Sequence, residues 1–139
     1  YETITSAAPE NAIEFFHGYT YSGHPAACAA GIAVQKIYEE ERSFEKAASL
    51  SEYFLDGLFS LRDIPSVKDI RGFGLMGGVE LHPKDAPGAL GTKTQKDLFW
   101  NGMHVKFTGD CGIVAPPFAS EKEHIDEMID KLRMTIEAN

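Results

Sequence analysis

The sequence has 139 residues, 43% of them hydrophobic and 24% charged, with a formal net charge of −8. These values fit one ordinary globular domain with its own core and argue against a disordered chain, a coiled coil or a disulfide-stapled miniprotein. So acidic a chain, with no Lys/Arg cluster, repels phosphate-rich partners, which excludes nucleic acid and anionic membrane surfaces as expected ligands.

Taken in chain order, the Thr3-Ile4-Thr5 run reads as the end of an earlier element, and Ser6 to Asn11 as a surface turn. Glu14 to Ser22 is aromatic and broken by glycine, hence extended or looped. Pro25 suits the first turn of a helix, where its missing N–H costs nothing. The small residues Ala26, Ala27, Ala29, Ala30, Gly31 and Ala33 then make a helix whose backbone can come close to a neighbour, and Glu39-Glu40-Glu41 reads as its solvated end. Phe44, Ala47, Ser51, Phe54, Leu58 and Leu61 recur at three- and four-residue spacing, predicting an amphipathic helix to about Arg62, closed by Pro65. Alternation from Val67 to Gly72 and the apolar, Gly-rich run from Leu75 to Leu81 predict two strands, with a loop from His82 to Gly91. Thr92 to Asn101 reads as a helix with Leu98 and Phe99 facing inward and Gly102 as its stop. Met103 to Phe107 and Gly112 to Ala115 are expected as short strands around a Thr108-Gly109-Asp110-Cys111 turn, the second ended by Pro116-Pro117. Ser120 and Glu123 form a capping-box pattern ahead of the helical face Ile125, Met128, Ile129, Leu132 and Ile136. The order predicts an α/β chain of the α+β kind: a two-layer sandwich of a small, mostly antiparallel sheet with helices on one face.

Several motifs invite chemistry and are declined on context. Gly72-Phe73-Gly74-Leu75-Met76-Gly77 matches G-x-G-x-x-G, but a dinucleotide loop must open a helix, whereas Val79, Glu80 and Leu81 continue as a strand. The expectation is instead a twisted or bulged strand pressed against a helix. His17, His24, His82, His104 and His124 show no ligand spacing, so no metal site is expected. The serines offer no G-x-S-x-G elbow. Cys28 and Cys111, far apart and outside any CxxC, read as small buried thiols. No run approaches the roughly 20 apolar residues of a membrane span, and no basic-then-apolar leader opens the chain, which points to the cytoplasm. The chain starts at Tyr1 without a methionine, which either processing or truncation explains.

His17-Gly18-Tyr19-Thr20-Tyr21-Ser22-Gly23-His24-Pro25-Ala26-Ala27-Cys28-Ala29-Ala30-Gly31 remains. A hydroxyl between glycines, just ahead of a small-residue helix, is able to present Thr20 and nearby backbone N–H groups to an oxyanion such as a phosphate. The competing reading is that Thr20 merely caps a turn.

This run resembles, nearly residue for residue, a segment of the class III aminotransferases, specifically the omega-amino acid (β-alanine) to pyruvate transaminases. The likeness extends through Glu14-Phe15-Phe16, Asp69-Ile70-Arg71-Gly72 with Gly74-Leu75 and Glu80-Leu81, and Thr108-Gly109-Asp110 with Ala115-Pro116-Pro117. The resemblance implies the small C-terminal domain of a fold-type I enzyme dependent on pyridoxal 5'-phosphate. Residues 1–24 would be the tail of the large cofactor-binding domain, and residues 25–139 the small domain, entered by a long bridging helix.

The resemblance also implies roles. Thr20 would donate a hydrogen bond to the cofactor phosphate of the neighbouring subunit, so that a homodimer or higher homo-oligomer completes the site. The Schiff-base lysine would lie on the large domain, outside this chain, which would therefore be inactive alone; Lys36, Lys46 and Lys122 sit at exposed helix positions. Where the family places an arginine that clamps the substrate carboxylate, before the Thr-Gly-Asp turn, this chain has Lys106. A point charge replaces a bidentate fork, so carboxylates should be held less tightly and simple amines should compete better; the opposing view is a solvent-facing strand lysine. The implied substrates are a small amino donor, an omega-amino acid or amine, and a keto acid acceptor, pyruvate. The alternatives are a non-catalytic α/β module that binds a small anion or a partner, and another class III enzyme such as an aminomutase.

Overall fold

The computed structural model describes residues 2–9 and 18–139. The readings for positions 10 and 11, and for Glu14 to His17, lie outside the described residues. The described residues fall into two compact units, 1–36 and 37–139, with the division inside a helix.

In the first unit, α1 (Glu2–Thr5) is a single helical turn, and α2 (Pro25–Glu40) begins at the anticipated proline. The described residues bury no α2 side chain, and a Cβ built on Gly31 would meet nothing within 4 Å.

In the second unit, Arg42 turns the chain in the left-handed conformation, with φ 53°, between α2 and α3 (Ser43–Phe59). Its N–H is accepted by the Glu39 carbonyl, and its own carbonyl accepts the Lys46 N–H of the new helix. A 3₁₀ turn, Ser60–Asp63, extends α3. Phe54, Leu58 and Leu61 from the predicted stripe are fully buried, whereas Phe44 at its start stays largely exposed and stacks edge-on with Tyr38 and Phe118.

The strands β1 (Val67–Phe73), β2 (Met76–Leu81), β3 (Lys106–Thr108) and β4 (Cys111–Val114) form one antiparallel sheet in the order β1-β2-β4-β3. Both β1–β2 and β3–β4 are two-residue hairpins whose first turn residue is a glycine at positive φ, Gly74 at 60° and Gly109 at 59°. Turns of this kind match the twist of the paired strands, and only glycine adopts that first position freely. The G-x-G-x-x-G match is thus a hairpin. Its outer glycines do lie against a helix, as expected: a Cβ on Gly72 would fall 2.5 Å from Leu55 Cδ2, and one on Gly77 2.1 Å from Leu58 Cδ2. The bulge is present but elsewhere, at the register shift between Val67 and Asp69.

One sheet face, with Val67, Ile70, Val79, Leu81 and Val114, is buried together with Leu90, Leu98, Ile125, Ile129, Leu132 and Ile136 from α4 (Ala89–Trp100) and α5 (Lys122–Glu137) and with the α3 stripe. The predicted two-layer sandwich with helices on one face is the observed architecture. Burial of that stripe supplies the main stabilisation, at about 25 cal/mol per Å² of apolar surface removed from water.

Four local expectations change. Phe99 is 56% exposed, because the buried positions of α4 are Leu90, Gly91, Thr94 and Leu98, and Phe99 lies one position round the helix from that face, edge-on to Trp100 and His104. Helix α4 begins at Ala89, inside the expected loop, and it ends as foreseen: Gly102, at φ 80°, donates to the Phe99 carbonyl while the Met103 N–H reaches the Leu98 carbonyl. Residues 103–105 are irregular, so the third strand is shorter than expected. The α5 capping box is Glu121 with His124, one residue beyond Ser120 and Glu123, because the Ser120 N–H is already used by the Pro117 carbonyl in a turn that buries it.

Candidate functional site

Thr20 lies exposed in a turn closed by the Ser22 N–H on the Tyr19 carbonyl at 3.1 Å. Gly23 at φ 79° then redirects the chain into α2, whose first turn begins immediately afterwards. The Thr20 hydroxyl makes no hydrogen bond among the described residues, so it does not serve as the cap of its own turn. A neutral hydroxyl beside the N-terminus of a sixteen-residue helix is a donor set suited to an oxyanion.

Lys106 lies in the second unit, at the first position of β3, and is exposed on the sheet face opposite α3, α4 and α5. Register places it directly opposite Ile113, with Gly78 and Arg71 continuing the same row. Among the described residues its ammonium makes no ion pair or hydrogen bond. Thr20 and Lys106 thus belong to different units, each described by itself.

The charges on β1 and β2 of the same face are, by contrast, committed to one another. Glu80 accepts Lys68 Nζ at 2.5 Å and Arg71 Nη1 at 3.1 Å, and Asp69 accepts Arg71 Nη1 at 2.6 Å. The hydrogen bonds from Lys68, then from Arg71, hold the Glu80 carboxyl below its ordinary pKa, and the bond to Glu80 raises that of Lys68. Cys111 also faces this side, with its Sγ 3.6 Å from Arg71 Nη2. Neither cysteine is a buried thiol as expected: Cys28 is exposed on bare α2, and Cys111 is half-exposed on the open face.

The sequence reading missed the groups that hold β3 in place. Asp110, in the β3–β4 turn, accepts the N–H of Gly88 at 2.8 Å and of Gly91 at 2.9 Å, capping α4 from another element. Gly91 has no room for a side chain, since a Cβ would sit 2.1 Å from the Gly109 carbonyl oxygen. One turn later, Gln95 Oε1 accepts the Phe107 N–H at 2.7 Å on the outer edge of β3. The Thr-Gly-Asp motif was the available signal; its carboxylate acts here as a clamp that seats Lys106. Lys36, Lys46 and Lys122 are exposed, as read. Among the described residues, no group of three or more His, Cys, Asp or Glu could hold a metal ion, and no helix is long and apolar enough to cross a membrane.

A family model for the class-III aminotransferases matches residues 2–136. An omega-aminotransferase of Caulobacter vibrioides is 43% identical over 125 residues, covering 89% of this chain and 28% of the relative. A beta-alanine–pyruvate aminotransferase of Pseudomonas aeruginosa is 38% identical over 132 residues, 94% of this chain and 30% of its own. Among solved structures, the omega transaminase of Pseudomonas jessenii in complex with PMP superposes with a TM-score of 0.79 at 32% identity, over 88% of this chain and 28% of that one. An adenosylmethionine-8-amino-7-oxononanoate aminotransferase of Methanocaldococcus jannaschii does so at 0.77 and 27% identity, over 89% and 30%. The chain therefore spans less than a third of these relatives.

Proposed function

The chain belongs to the class-III aminotransferases, and from that premise we propose that the complete protein transfers an amino group from an omega-amino acid or amine to pyruvate, using pyridoxal 5'-phosphate. Residues 1–24 then close the large domain and residues 25–139 make the small one. The protein works as a homodimer or higher homo-oligomer in the cytoplasm. The observation that carries this reading is the match of nearly the whole chain, at 38–43% identity, to relatives named for that chemistry.

The residues present suit the cofactor. The Thr20 hydroxyl, exposed ahead of α2 and unengaged among the described residues, fits a donor to the phosphate of a cofactor held by the neighbouring subunit. When bound, pyridoxal phosphate supplies the electron sink for the reaction. This chain contributes position and charge: Thr20 fixes the phosphate, and Lys106 offers an ammonium to the substrate carboxylate from the open sheet face. The lysine that would carry the cofactor lies outside these residues, so the segment by itself is inactive.

The test uses the full-length protein, with β-alanine as donor, pyruvate as acceptor and alanine as the measured product. Alanine formation that depends on added cofactor is expected. Because a hydrogen bond to a charged group is worth about 1.5–3 kcal/mol, Thr20→Ala should raise the Kd for pyridoxal phosphate at least roughly tenfold. No transamination with any omega-amino acid or amine, or unchanged cofactor affinity in Thr20→Ala, would overturn the corresponding part of the proposal.

A further inference from the structure

Lys106 stands on β3, an edge strand only three residues long. Among the described residues no strand lies beyond it, so the backbone groups on its outer side need partners from elsewhere. Gln95 supplies one, its Oε1 accepting the Phe107 N–H at 2.7 Å as a further strand would. Gln95 is itself held in place: it follows the fully buried Thr94 on α4, one turn after Gly91, whose N–H is accepted by Asp110. The two neighbours of Lys106 belong to the helix side of the sheet. Val105 is buried, and the Phe107 ring lies against Gly112, where a Cβ would fall 2.7 Å from its Cζ. Lys106 is thereby aimed at the opposite face, yet its ammonium makes no ion pair or hydrogen bond of its own among the described residues. A lysine carries its charge on a flexible four-carbon stem, so the place of that charge depends on how firmly the backbone beneath it is held.

We propose that Gln95 is a positioning residue for carboxylate substrates: by holding the Phe107 N–H it fixes the backbone from which Lys106 reaches the substrate carboxylate. The inference rests on the proposed role of Lys106 at the substrate mouth. Gln95 belongs to the helix layer, on the other side of the sheet from the Lys106 side chain, so its influence passes through the strand. Asp110 ties the β3–β4 turn to the start of α4, and Gln95 ties β3 to the same helix one turn later, so that α4 and the strand bearing the ammonium move together.

Calorimetric titration of propionate into the cofactor-loaded full-length protein reads carboxylate affinity without turnover. Gln95→Met keeps the length of the side chain and removes the acceptor; it should raise the Kd for propionate about fivefold, the effect of one lost hydrogen bond, and speed hydrogen exchange at the Phe107 amide. Gln95→Glu keeps the acceptor and should restore the parent affinity to within about twofold. With β-alanine as donor, Gln95→Met should raise KM by the same factor while kcat stays within about twofold. Lys106→Ala should weaken propionate by itself, and Gln95→Met should add nothing in that background, because both act through one charge. An unchanged Kd in Gln95→Met, or a fivefold loss that persists when Lys106 is already alanine, would overturn this inference and leave the role of Lys106 standing. No binding of propionate by the parent, or no effect of Lys106→Ala, would overturn that role and the inference with it. Thermal midpoints establish that each variant is folded, and Gln95→Ala repeats the comparison with the acceptor removed by a second route.

Discussion

Replacing Asp110 by alanine removes both acceptors that tie the β3–β4 turn to the first turn of α4. One carboxylate oxygen takes the Gly88 N–H at 2.8 Å and the other the Gly91 N–H at 2.9 Å, in a partly buried setting. Hydrogen bonds to an ionised group contribute about 1.5–3 kcal/mol each, and an N-terminal cap contributes about 1 kcal/mol. Partial exposure places each bond near the lower bound, so Asp110→Ala should cost about 3 kcal/mol. Asp110→Asn, which keeps one uncharged acceptor, should cost roughly half of that. Urea denaturation reads the total, and hydrogen exchange locates it: the Gly88 and Gly91 amides should lose about 100-fold in protection, at roughly 1.4 kcal/mol per factor of ten. The reasoning is refuted if Asp110→Ala unfolds at the parent midpoint with both amides still protected.

Other outcomes follow from the same geometry. Gly77→Ala drives a methyl into fully buried Leu58 and should cost about 2–3 kcal/mol by overpacking, whereas Gly78→Ala on the opposite face should be near neutral; equal denaturation midpoints would contradict the facing of β2. Glu80 has a depressed carboxyl pKa, so its ion pairs stabilise the fold above the ordinary carboxylate pKa, and that contribution is lost as pH falls through the lowered value. A pH series of melting midpoints should therefore fall less steeply in acid for Glu80→Gln than for the parent. In the full-length enzyme, Lys106→Arg should lower KM for β-alanine and leave a simple amine unchanged, shifting the kcat/KM ratio toward the carboxylate; unchanged kinetics would mean that Lys106 faces solvent. The isolated 139-residue chain, mixed with pyridoxal phosphate and borohydride, should show no mass increase, and a stoichiometric adduct would show that one of its lysines is nucleophilic.

Much of the architecture is readable from local pattern. The α3 stripe, the Pro25 start, the Gly102 stop and the α5 face are set by spacing, ring constraint and positive φ, all properties of short windows. The hidden features join distant residues. Asp110 caps a helix that begins some twenty positions earlier, and the outer glycines of the G-x-G-x-x-G string are needed where the hairpin packs on Leu55 and Leu58 of α3. The α5 cap moved by one residue because a tight turn had already consumed the Ser120 N–H.

The sequence by itself determined most of the helices and strands, which faces are apolar, and that the chain resembles the class-III aminotransferases. Those are properties of chain-local chemistry. Only the tertiary structure decided that Lys106 stands beside Ile113 on the sheet face away from α3, α4 and α5 while Arg71 is neutralised on the same face. Strand register is a long-range choice, and a one-residue slip would turn each of those side chains to the other face.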